Sequence, residues 1–276
     1  MSLELRTAID NARFMLETAI PALADGTLGE LTHAHGIGTA LRSRGVSDLL
    51  LRGVVDPLHV AQMQSAAAYV FALRRTTNDD EKVTSLGGCF WDAVSAQYWD
   101  AAREIAVQSR MTHNPKREHE DDFLYVAFLM QRYFLSPPPD APPEDAEAHD
   151  QAQQQRLERW AEVLDGALDA RLTLCHALHD RDAEAFEDAI VAMADRRDEY
   201  LLGRYEKGKL TQAELAWLLP IWPEGLALLR LATHDGLPLE GVEVPHVPPV
   251  IRVDNPYRYD PNAWRSLDFR PAKRSS

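Results

Sequence analysis

The chain of 276 residues has only two cysteines, Cys89 and Cys175, and neither belongs to a CxxC pair or to a cluster of metal-ligating residues. That excludes a disulfide framework and a zinc-finger type of site. Both have apolar or aromatic neighbours, so they are expected to be buried thiols in a reducing compartment. No run of about 18 consecutive apolar residues occurs, so no membrane-spanning helix is expected. Residues 1–20 carry Glu4, Asp10 and Glu17 among their apolar positions and lack the unbroken core of a secretion signal. A cytoplasmic location without a membrane partner follows as the expectation. Catalytic signatures are missing too: there is no GxSxG elbow, phosphate-binding glycine loop, dinucleotide fingerprint or HExxH helix, and His35-Gly36-Ile37-Gly38 is too short to be one. No catalytic residue, cofactor or metal is assigned. Positive charge is also in short supply, with 29 Lys and Arg against 43 Asp and Glu and a net charge of −14. Such a field repels nucleic-acid phosphate and attracts a basic partner, although acidity alone is also an ordinary route to solubility.

What is present is helix-forming. Alanine, leucine, glutamate and arginine are frequent while isoleucine and threonine are sparse, which favours helix over strand. Leu5, Ile9, Phe14, Leu16 and Ile20 mark a first helix over about 3–24, before Pro21 and Gly26 interrupt the pattern. Residues 27–43 continue helically until Gly45 breaks them, and Ser47-Asp48 can open a new segment. A central helix is expected over 57–75, with Pro57 in its first turn. A helix over 88–109 carries Phe90, Trp91, Val94, Tyr98 and Trp99, spaced for core packing more than for an aromatic pocket. Another follows Asp121 and Asp122 and ends near Leu135.

Residues 136–150 hold five prolines, five acids and no Lys or Arg, and are expected to be an exposed loop or linker. It separates an N-terminal helical region, 1–135, from a second over 151–237. In the latter, helices over 151–178 and 182–203 form a hairpin across the turn at 179–182, followed by helices after Thr211 and over 223–234, the last capped by Asp235-Gly236. Seven prolines then make 238–276 an extended tail packed on the body, with at most an edge strand in GVEVPHVPPVIRV. The expected fold is all-α, an irregular multi-helix bundle of helical hairpins with an extended proline-rich tail.

Three His-Asp doublets, His149-Asp150, His179-Asp180 and His234-Asp235, raise an HD-type metal phosphohydrolase as an alternative. Each falls in the expected linker or at a helix end, without the additional ligands such a site requires. His176 and His179 share a helical face but have no third ligand, and His33 and His35 do not share one. The runs NDDE at 78–81 and EHEDD at 118–122 lack the one-turn spacing of magnesium-binding carboxylates and suit helix starts. In the tail, Arg252, Arg258, Arg265, Arg270, Lys273 and Arg274 alternate with aromatics but are diluted by Asp254, Asp260 and Asp268, so docking onto the chain's own body is expected rather than nucleic-acid binding.

Two segments, ALHDRDAEAFEDAIVAMADRRDEYLL at 177–202 and PEGLALLRLATHDGLPLEGVEVPHVPPVI at 223–251, resemble immunity protein family 49. Asp182, Glu184, Phe186 and Tyr200 carry the first pattern, and Leu226, Leu229, Ala232, Gly236, Leu237 and Pro238 the second. The likeness covers about a quarter of the chain. It implies an immunity protein of a bacterial polymorphic-toxin system that neutralises a cognate toxin or effector domain by tight stoichiometric occlusion, without catalysis. An acidic inhibitor would gain electrostatically steered association with a basic toxin. Asp79, Asp80, Glu81, Glu120, Asp121 and Asp122 are the expected contacts. A helical adaptor or scaffold protein is the other alternative.

Overall fold

The computed structural model describes residues 2–28, 31–138 and 140–274. Gly29, Glu30 and Pro139, which fall in the expected second helical stretch and the proline-rich segment, lie outside the described residues, as do Met1, Ser275 and Ser276. Helix α1 (Ser2–Asp25) buries Leu5, Ala8, Ala12, Leu16, Ile20 and Leu23. Steps of about 3.6 residues from Leu5 select Ala8 and Ala12, and leave Phe14, expected on the buried face, 79% exposed. Pro21 does not end the helix, because Ile20 and Leu23 on either side of it stay anchored in the core.

Helix α2 (Leu31–Arg52) runs through Gly45 instead of breaking there. The glycine serves packing: a Cβ at Gly45 would stand 2.5 Å from the Ala61 Cβ and 3.0 Å from the Pro57 carbonyl oxygen. Helix α3 (Asp56–Arg75) can therefore approach closely, and nearly all of its side chains between Leu58 and Leu73 are buried. It packs against α2, against α4 (Gly88–Ser95) and α5 (Trp99–Gln108), and against the short turn Ala263–Arg265.

Helices α4 and α5 replace the single helix expected over 88–109. Gln97 adopts φ 59°, its N–H donates to the Val94 carbonyl at 2.9 Å and the Tyr98 N–H to the Ala93 carbonyl at 2.8 Å. This is the closure usually made by glycine after a helix. The resulting bend leaves Phe90, Trp91, Val94 and Tyr98 all buried in the core.

Helix α6 (Glu120–Phe134) packs on α7 (Pro143–Leu164), which begins inside the segment expected to be loop. Pro143 supplies a helical φ in the first turn, and Glu144 and Asp145 complement the helix dipole. The helix expected over 151–178 is likewise divided: Asp165 and Gly166 take positive φ, and α8 (Ala170–Asp180) starts after the Asp169 cap. Helices α8 and α9 (Ala183–Glu206) form the hairpin, turned by left-handed Arg181 and capped by Asp182, whose carboxylate accepts from the Ala185 N–H at 3.0 Å. Helix α10 (Gln212–Leu218) opens with a reciprocal Thr211–Glu214 capping box. Helix α11 (Pro223–His234) closes through Gly236 at φ 77°, with the Leu237 N–H bonded to the Ala232 carbonyl. Residues 212–234 are together long and apolar enough to cross a membrane, but over half of their apolar window is buried within the protein, and a turn divides them into α10 and α11.

In the tail, the short helix α12 (Pro249–Arg252) stands where weak alternation suggested an edge strand, and no strand occurs among the described residues. Trp264 is fully buried, its ring centroid 4.7 Å from that of Phe71. The Gln64 amide donates to the carbonyls of Ala263 at 2.9 Å and Ser266 at 2.7 Å. The fold is all-α, and its buried apolar side chains form one continuous cluster from Leu5 to Trp264.

Two glycines of α2 should respond oppositely to alanine. Nothing lies within 4 Å of a Cβ at Gly36, so Gly36→Ala should stabilise by about 0.5–1 kcal/mol through helix propensity. Gly45→Ala should destabilise by about 1–3 kcal/mol, because the added methyl meets backbone that cannot yield. Urea midpoints of the two variants against wild type measure both.

Candidate functional site

The acids expected to touch a partner fall in two segments at the starts of helical turns. Residues 78–81 form a short 3-10 turn in which the Asn78 side chain accepts from the Asp80 N–H and its amide donates to Glu81. Asp79 pairs with Lys82 at 2.8 Å, which holds its carboxyl below the usual carboxylate range, and Asp80 pairs with Arg110. The loop 109–119 joins this segment to the start of α6. Asn114 donates to the Asp80 carbonyl at 3.1 Å, and the Glu118 carboxylate accepts from the backbone N–H of Ser85 and of Asn114.

At the start of α6, Glu120 makes a two-pronged pair with Arg159 at 2.8 and 3.1 Å, and this hydrogen bonding depresses its pKa. Asp121 and Asp122 both bind Arg171, at 2.8 and 2.6 Å, and Asp169 binds it as well at 2.7 Å. The Arg171 guanidinium also lies 5.6 Å from the Tyr125 ring centroid and 5.7 Å from that of Trp160. The six nominated acids are thus drawn into hydrogen bonds and ion pairs within the chain, and Arg171 unites α6, α7 and α8.

Beside Arg171 opens a cleft of about 830 Å³, lined by residues from the start of α6, the α7–α8 loop, α9 and the α10–α11 turn. Asp121, Asp122, Tyr125 and Asp169 line it together with Leu168, Met193, Tyr200, Trp217 and Trp222. Its shape depends on Arg197, which reaches from α9 to the carbonyl oxygens of Leu218, Leu219 and Ile221 and so satisfies acceptors left over at the end of α10. Tyr125 donates to Glu224 at 2.8 Å, tying α6 to α11. The sequence reading missed Leu168, Arg171, Arg197 and the two tryptophans. The only local signal was Arg171 two residues after a helix cap, since the partners of these residues come from distant positions.

Deeper in, Arg42 donates to the fully buried Asp92 at 2.9 Å, and Ser65 donates to the same carboxylate at 2.5 Å. Burial pushes the Asp92 carboxyl up although Arg42 and Ser65 oppose the shift. Burial also raises the neighbouring Cys89 thiol to about 12, which leaves it protonated at neutral pH and a poor nucleophile. Two of the His-Asp doublets are engaged elsewhere, Asp235 accepting from Arg132 and Tyr133 and His149 bonding Gln153, while His179 of the third stands 3.9 Å from Asp150. Among the described residues, no three of His, Cys, Asp and Glu gather where they could hold a metal ion.

Arg171→Ala leaves Asp169, whose side chain is only 7% exposed, without its guanidinium, and should lower the unfolding free energy by about 2–4 kcal/mol in urea titrations. His35 and His59 are held at about 4 by burial, His35 with help from Arg42. They are neutral when folded, while the unfolded chain takes up protons below about 6.5. Their contribution is therefore complete above that pH and is lost as pH falls towards 4. At pH 5 each should leave the protein about 2 kcal/mol less stable than at pH 8, and His59→Gln should remove its share.

No curated protein and no solved structure matches the chain. The profile of the family described as Immunity protein 49 matches residues 54–251. The match contains both segments that carry the resemblance and reaches upstream through α3 to α7. It spans well over half of the 276 residues, and the chain therefore belongs to the Immunity protein 49 family.

Proposed function

We propose that this chain binds a cognate toxin domain one to one and neutralises it by covering the surface the toxin needs for its activity. The family match over 54–251 carries the reading. The net charge of −14 supports it, because a strongly acidic protein accelerates encounter with a basic partner and discourages nucleic-acid binding. The protein works in the cytoplasm of the cell it protects, by occupancy and not by turnover, so its protective effect scales with its concentration relative to the toxin.

The test pairs affinity capture from the producing strain with co-expression. Recovery of a toxin domain at one-to-one stoichiometry, together with restored growth when chain and toxin are expressed together, is the expected result. Raised salt should slow association more than it speeds dissociation. Capture of housekeeping proteins alone, with no toxin suppressed, would overturn the reading in favour of a general helical adaptor. Protection at strongly substoichiometric levels would overturn occlusion in favour of catalysis.

A further inference from the structure

Carboxylates outnumber the guanidinium they share at the Arg171 edge of the cleft, while the other arginines of its lining are engaged elsewhere, Arg42 with Asp92, Arg196 with the Leu168 carbonyl and Arg197 with carbonyls at the end of α10. Asp121, Asp122 and Asp169 converge on the single guanidinium of Arg171, so this group of four has two negative charges in surplus. Asp121 and Asp122 are 31% and 46% exposed, and a carboxylate has room for about four hydrogen bonds, of which Arg171 takes one from each. A second cation can therefore be accepted without displacing the first.

Apolar surface lies open in the same cleft. Leu168 is 91% exposed and Tyr200 is 61% exposed, although both belong to its lining. Leu168 is held in place, because Arg196 of α9 donates to its carbonyl at 2.9 Å. Its side chain is thus presented to solvent by a tethered loop, and covering it costs little further ordering of the backbone. A small ligand inside the cleft would leave most of these two side chains wet, whereas a protein surface would bury them with Trp217 behind.

We infer that this cleft is the docking face for the chain's protein partner, and that the inserted segment presents an arginine or lysine beside a large apolar side chain. The cation completes the carboxylate cluster and the apolar group packs between Leu168 and Tyr200. The inference rests on the toxin-binding reading for the identity of the partner, but not for the chemistry of the cleft.

Two arms keep the two separate. In the first, a displayed random-peptide library is selected on the full-length chain, and enriched peptides are synthesised and titrated. Enrichment of a basic residue next to an aromatic or aliphatic one is expected, with binding weakened at least about tenfold by Leu168→Asp, Tyr200→Glu or Asp122→Asn, and unchanged by Phe14→Asp, an exposed position of α1 outside the cleft lining. The thermal midpoints of the Leu168→Asp and Tyr200→Glu proteins should match wild type, as both positions are exposed. Enriched peptides that lack a basic residue, or that bind the cleft variants normally, would overturn the inference. In the second arm, the same variants are tested for protection against the toxin that wild type suppresses. Loss of protection with Leu168→Asp and Tyr200→Glu together, but not with Phe14→Asp, is expected. Full protection by the cleft variants would sink the docking face while immunity stands. If wild type suppresses no toxin, the immunity reading falls and the peptide arm still decides the cleft.

Discussion

Helix α3 has almost no surface of its own between Leu58 and Leu73, so its polar side chains depend on neighbours for partners, and only His59 Nδ1 and Gln62 Oε1 among its described buried side-chain atoms go without one. Gln62 donates to Ser95 in α4 at 2.6 Å, Ser65 to the Asp92 carboxylate, and Gln64 to two carbonyls of the tail. An unmet polar group at this depth costs about 1–3 kcal/mol. These obligations prescribe where α4 and the tail lie, and the buried Asp92 in turn fixes Arg42 of α2. The apolar contacts make the core stable; the polar ones make the arrangement specific.

The parts legible in the sequence are those decided by local chemistry. The all-α class, the α8–α9 hairpin, the cap at Asp235-Gly236 and the buried aromatics of α4 all follow from propensity, turn residues and spacing. The misplaced features were decided by tertiary packing. Gly45 looks like a breaker, yet it is where α3 touches α2. Gln97 adopts left-handed backbone that its side chain does not advertise, while Asp165-Gly166 is a turn dipeptide that the apolar periodicity around it outweighs, and each splits what periodicity presents as one long helix. Phe14 joined an apolar series whose true periodicity passes through two alanines.

The candidate site shows a related limit. A row of acids in a sequence states how much charge a segment carries but not how much of it is available. Asp80, Glu120, Asp121 and Asp122 find arginines contributed from 30 to 50 positions away, and no local pattern discloses those partners. What distinguishes Asp121 and Asp122 is the three-to-one ratio of carboxylates to guanidinium around Arg171, a property of four residues from two distant stretches of chain.

The docking of Trp264 on Phe71 has a temporal consequence. Gln64 and the Ala263 carbonyl that it binds are separated by 199 positions. At the usual rate of synthesis of about 5–20 residues per second, roughly 10–40 s pass between the appearance of α3 and that of its cover. Throughout that interval the nascent chain exposes the apolar surface around Phe71, and α3 gains its cover only once residues 263 and 264 have been made. A newly synthesised chain therefore completes its packing only after a lag built into the order of its sequence.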